Sequence, residues 1–362
     1  MAGSIERLLV TTQKGLFTVE RPGGKWVLRD AAFEGEEVSA VLADARDGAV
    51  YAAIRRGPRS ELVRSDNVAR SFESLGSLEM PREHSNGAEL LNVCVLEAAG
   101  RDALGELWAG TLSGALFHSR DRGEHFRFVD ALWQRPERPR FGATGFPAPA
   151  LHSVSIDPRD SRHLLVAISR GGVFSTRDAG ASFEVAAGLL SAGGAELPDP
   201  RRLSRCRSNP DVVWCQHERG VYRSTDAGTT FAPVAGAEDA FAFAIAAHPY
   251  DAGTAWFVPV RDPHGRVPFD RALAVYKTRD GGGSFERKTR GLPQQFAYDV
   301  VYRHALDVDE SGTLVAIGST TGNLYLSADG GESFEAISHH LPPIQALRFS
   351  TARVRSPTPI VW

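Results

Sequence analysis

Two histidines, a broad supply of arginines and a few carboxylates are the residues of this chain whose types and spacing could do chemistry. His152 and His304 open two short apolar segments that align when each is anchored on the polar residue ending it, Asp157 and Asp309. Imidazoles at one structural level can act as a base pair, as metal ligands, or as hydrogen-bonded core residues. His217, in Cys215-Gln-His217-Glu-Arg219-Gly, points to the same rim, as do His84 and His264. No HxH or HExxH spacing accompanies them, so no metal ligand is nominated, and the residues leave open whether a cofactor or metal binds. Guanidinium groups at Arg55, Arg56, Arg170, Arg202, Arg219, Arg261, Arg271 and Arg303 suit a carboxylate or phosphate, or are ordinary solvated surface. Glu89 and Asp299 lie just ahead of apolar strands, where either could serve as a general acid or base. The catalytic candidates are therefore His152, His304, Glu89 and Asp299. The ligand-binding candidates are Arg170, His217, Arg219, Arg303 and Tyr298. Cys94, Cys206 and Cys215 read as small buried thiols, because Cys215 and His217 are too close along one strand to form a dyad.

The elements that position these groups follow from length and repetition. The chain has 362 residues, 41 basic against 44 acidic, and a formal charge of -3. That balance argues against nucleic acid as a partner, and no apolar run spans a bilayer. The opening MAGSIERLLV does not read as a signal peptide, and three cysteines make no disulfide framework. The expectation is a cytoplasmic protein.

One eight-residue turn recurs along the chain. Its clearest copies run Thr176-Arg-Asp178-Ala-Gly180-Ala-Ser182-Phe183, Ser224 to Phe231, Thr278 to Phe285 and Ser327 to Phe334. Ser119 to Phe126 keeps Ser, Asp, Gly and Phe. Ser65 to Phe72 carries Asn67 for Asp and Ala69 for Gly, and the segment ending at Trp26 keeps only Gly23 and the aromatic. The closing aromatics at 26, 72, 126, 183, 231, 285 and 334 recur about every 50 residues, which suits one four-stranded unit each. Within the turn, Asp accepts bonds from its own amides, Gly supplies a positive φ and the hydroxyl closes a local bond.

These turns resemble the Asp-box, or BNR, repeat of sialidases, xyloglucanase-type glycosidases, sortilin-like receptors and photosystem assembly factors. The resemblance covers essentially the whole chain and implies an all-β, seven-bladed β-propeller with four-stranded antiparallel blades, forming one domain over residues 1–362. It also implies that the boxes are structural turns, remote from any active site. Sialidase chemistry needs an arginine triad, a Tyr–Glu nucleophile pair and an acid/base Asp. The Arg-Ile-Pro motif marking its first arginine is replaced here by Glu6-Arg7-Leu8-Leu9, and sialidases have six blades, so the resemblance implies a sialidase-like protein rather than a sialidase.

Between boxes, short alternating or wholly apolar runs read as strands. Innermost strands are expected at 38–43, 91–96, 152–156, 203–207, 241–247 and 302–308. The first repeat lacks one, and 344–349 is expected to supply it and close the ring, with 350–362 as a tail. Long insertions at 132–151, 189–202 and 260–274, with 80–90 shorter, decorate the face where inner strands begin. A small, anionic or carbohydrate- or peptide-like ligand is expected at that mouth. The alternatives are a hydrolase or lyase using the histidines with a carboxylate or metal, and a scaffold for a protein partner.

Overall fold

Second strands of the repeats are apolar at nearly every position, as in Leu164–Ile168, where all five residues are fully buried. Such a run is covered on both faces, and stacking sheets around an axis provides that cover. The computed structural model describes residues 6–84, 91–143, 147–189, 197–238, 240–261 and 265–350. They form seven four-stranded antiparallel sheets arranged as the blades of a propeller. The innermost strands of blades 2 to 7 are Val38–Ala43, Val93–Ala98, Leu151–Asp157, Pro200–Arg205, Ala242–Ala247 and Leu306–Val308. Blade 1 combines Arg7–Thr12, Gly15–Glu20 and Val27–Ala32 with Ile344–Ser350, which pairs antiparallel to Arg7–Thr12 as the inner strand. The ring is closed as expected, and no blade is left with a bare inner edge.

Six of the seven turns share one hydrogen-bond set. In blade 4, Thr176 Oγ1 donates to Asp178 Oδ1 at 2.7 Å and accepts from the Gly180 amide at 2.9 Å. Ser182 closes the loop by donating its amide and hydroxyl to the two Asp178 oxygens at 2.9 and 2.6 Å. The worn turn of blade 2 keeps the frame, with Ser71 N donating to Asn67 Oδ1 at 2.9 Å. The box glycines sit at positive φ and each turn leans on the preceding blade. A Cβ at Gly180 would lie 3.3 Å from Trp108, at Gly228 2.2 Å from Leu165, at Gly282 2.1 Å from Val234 and at Gly331 2.7 Å from Trp256. The glycine therefore clears space for the contact between blades.

Inner strands of adjacent blades are not paired as a sheet, and side chains stitch them instead. Ser153 Oγ accepts from Leu203 N at 3.0 Å, Ser204 Oγ from Ala247 N at 2.8 Å, and Asp307 Oδ2 from Phe349 N at 2.8 Å.

The blade 3 inner strand, Val93–Ala98, starts two residues later than expected, and two others differ more. In blade 5 the strand begins at Pro200, three residues early, so Arg201 and Arg202 belong to the channel wall rather than to a loop. In blade 7 it is short, because a turn from Ala305 N to Tyr302 O at 2.7 Å bends the chain first. His304 instead touches the closing strand through an isolated parallel bridge to Ala346.

Candidate functional site

The inner strands begin on what we term the top face and end on the bottom face. Near the top, six of them slip register against their second strands. The slip leaves Ser39, Cys94, His152, Arg201, Phe243 with Ala244, and Gln345 opposite no single partner residue. Each slip is a β-bulge, a device that re-aims side chains. Counting back from the ends of the strands therefore misaligns residues above the bulge. The equivalents of His152 are Cys94 and Arg201, not Asn92 and Ser204.

At this level three guanidiniums gather on one aromatic ring. Arg201, Arg266 and Arg303 lie 5.7, 5.4 and 6.0 Å from the centroid of Phe243. Phe241 and Tyr302 meet the same ring edge-on at 5.0 Å, and Arg266 Nη1 donates to the Tyr302 hydroxyl at 3.1 Å. Arg201 pairs with buried Asp199 at 2.7 Å. Burial, with Arg201 adding repulsion, brings the Arg303 pKa down to about 10, so it stays charged at neutral pH. Arg266, on the 260–274 insertion, and Phe243 complete a cluster that sequence reasoning left as Arg303 alone. Arg201 was missed because its bulge leaves no compositional trace.

The two aligned histidines do meet. His304 Nε2 donates to the His152 backbone carbonyl at 2.7 Å, and its Nδ1 accepts from Arg202 Nη1 at 2.6 Å. An arginine only donates, so His304 is the neutral Nε2–H tautomer with both nitrogens engaged. The His152 ring is buried, beside the Pro200 backbone. Burial, then Arg303, Arg201 and Arg202, hold its pKa well below the usual range. His217 is fully buried, accepts from the Arg219 amide at 3.2 Å and packs on Tyr222. Burial and the charges of Arg201 and Arg219 bring it down to about 3.

Of the other candidates, Arg170 and Arg219 border the Arg201 cluster and the rest are dispersed. Asp299 Oδ1 accepts from Thr321 at 2.7 Å and Asn323 at 2.6 Å, which fixes a blade 7 turn. Tyr298 and Arg219 are exposed, and the Arg170 amide donates to Asp199 Oδ1 at 3.2 Å. His84 pairs with Asp130 at 2.7 Å beside the 132–151 insertion. Glu89, Asp262, His264 and the 351–362 segment lie outside the described residues. Among the described residues no group of three or more His, Cys, Asp or Glu side chains could hold a metal. Cys206 and Cys215 are buried as expected, whereas Cys94 is partly exposed, and burial still pushes its thiol up to about 12.

No protein-family model matches the chain, and no curated protein matches it. Among solved structures it is similar to an ancestral GH74 enzyme at 18% identity and a TM-score of 0.61, over 86% of this chain and 38% of that one. It is similar to a putative 6-phosphogluconolactonase from Bacteroides fragilis at 15% identity and a TM-score of 0.62, over 96% and 99% of the two chains. A third similar structure is YCF48 bound to D1 peptide, at 12% identity and a TM-score of 0.51, over 83% and 81%. What these identities establish for this chain is the propeller fold.

Proposed function

We propose that this chain is an Asp-box propeller that binds a small anion, carrying a carboxylate or phosphate, at the top mouth of its channel. The observation that carries the reading is the convergence of Arg201, Arg266 and Arg303 on the Phe243 ring. Arg201 disfavours the charge of Arg303, Asp199 offsets this only in part, and an anion beside them accepts charge-assisted bonds. The neutral rings of His152 and His217 nearby add no competing charge. The recurring turn bonds support the Asp-box assignment, since they satisfy the role that each of its residues needs.

A second reading, hydrolysis or elimination, rests on His152, which is an unprotonated imidazole beside arginines. A base there acts only on a ligand already held by the guanidiniums, so binding is tested first. Titration calorimetry with inorganic phosphate, gluconate, 6-phosphogluconate, N-acetylneuraminate and short acidic peptides is the experiment. The 6-phosphogluconate probe is chosen because one structural neighbour is named a putative lactonase of that acid. Arg266→Ala, a half-buried position, removes one charge-assisted bond worth about 1.5–3 kcal/mol and weakens binding about tenfold or more. Silence from every probe, or equal affinity in the variant, refutes the proposal.

A further inference from the structure

The bottom end of the channel holds a separate cavity of about 490 Å³, adjoining a smaller one of about 130 Å³. Its walls are the closing ends of the inner strands and the turns that follow them. Four largely buried arginines line it, and they are not equally satisfied; Arg46 is held by Asp44 at 2.7 Å. Arg348 is engaged by Glu97 at 2.7 Å and Asp307 at 3.7 Å. Arg205 shares Asp157 at 3.3 Å and donates to the Pro210 carbonyl at 2.6 Å. Arg202 differs, for among the described residues it makes no ion pair, and its Nη1 donates to the neutral ring of His304.

Two donors remain. Arg202 Nε and Arg205 Nη2 are buried and, among the described residues, meet no acceptor; Arg202 is only 9% exposed and the Arg205 side chain 4%. Glu97 and Asp307 favour the charge of Arg202 without bonding to it, and a buried guanidinium with no bonded carboxylate is costly, a cost that an anion entering the cavity offsets. Glu97 and Asp307 line the same space and are each partly exposed, so their oxygens have lone pairs beyond those given to Arg348. Among the described residues Phe349 is the one aromatic side chain lining the larger cavity, which gives a flat apolar ligand little to stack on.

We propose that this cavity is a second ligand site, independent of the top mouth, for a compact hydroxylated anion. Its carboxylate or phosphate group sits on Arg202, and its hydroxyls donate to Glu97 and Asp307. The chemistry fits a polyhydroxy carboxylate or the phosphate monoester of a small polyol.

The test is calorimetry on the Arg266→Ala protein, in which the top cluster is already weakened, with gluconate, glycerol 3-phosphate, inorganic phosphate and neutral glycerol as probes. Gluconate or glycerol 3-phosphate is expected to bind, inorganic phosphate at least tenfold more weakly, and glycerol not at all. Arg202→Gln is expected to weaken that binding at least tenfold. Ala45→Trp does the same by filling the rim from an exposed turn, and it keeps the test open if Arg202→Gln fails to fold. Absence of binding, or affinity unchanged in Ala45→Trp, overturns the site. Phosphate matching the hydroxylated probes overturns the hydroxyl contacts. Because these outcomes are read with Arg266 already removed, they stand apart from the fate of the top mouth.

Discussion

Gly228→Ala isolates what the recurring turn does for the ring. Gly228 has φ +92°, and a Cβ there would fall 2.2 Å from Leu165 Cδ1, on the second strand of the preceding blade. Two costs add. A left-handed alanine is worth about 1 kcal/mol, and forcing a methyl into a packed contact adds about 1–3 kcal/mol. Loss of chain freedom in the unfolded state returns about 0.5–1 kcal/mol. The net is about 1–3.5 kcal/mol. With an unfolding entropy of about 2.1 cal/mol/K per residue over 362 residues, each kcal/mol lowers Tm by about 1.3 °C. The expected loss is about 1–5 °C by scanning calorimetry. Gly236→Ala is the control, since Gly236 also has a positive φ, +76°, but nothing lies within 4 Å of its Cβ. It should lose about 1 °C or less. The pair Gly228→Ala with Leu165→Ala should be less damaging than the two singles summed, because the smaller neighbour removes the collision. Equal losses for Gly228→Ala and Gly236→Ala would show that the turn does not clamp adjacent blades.

Leu347→Ala, at a fully buried position of the closing strand, should cost about 2–5 kcal/mol in denaturant unfolding; a neutral result would mean that this strand does not hold the ring. Acid should unfold the protein through its turns. The Asp178 and Asp280 carboxyls are held below their usual value chiefly by the hydroxyls of Ser182 and Ser284. Their contribution is therefore present above the unfolded value of 3.8 and is lost as pH falls below it. Asp280→Asn should flatten that part of the stability-against-pH curve, followed by circular dichroism, and an unchanged slope refutes the link.

The repeat was legible because each turn combines residues that few other local structures require together. The hydroxyl, carboxylate and glycine of 176, 178 and 180 reappear in register wherever a blade needs the same clearance. Closure by 344–350 was legible for a related reason, as an apolar segment without a partner matched a repeat lacking one strand. The site was legible only in part. Arg303 and His152 stood out by type and position, but Arg201 did not, because a bulge inserts one residue and inverts the count of faces above it. Nor did the lower cavity, whose Arg202, Glu97, Asp307 and Arg348 come from four blades and share no spacing. Such a cluster is assembled by the axis of the propeller, and no local pattern carries it.

The closing strand also sets a timetable for synthesis. Thr11 and Ala346, which touch in blade 1, are 335 positions apart, so at about 5–20 residues per second a ribosome needs roughly 17–67 s between them. Throughout that interval the nascent first sheet waits with three strands, and its unpaired border, Arg7–Thr12, is open to pairing with whatever it meets. Holding that border safe until the last blade emerges is a demand that this architecture places on the cell rather than on the finished protein.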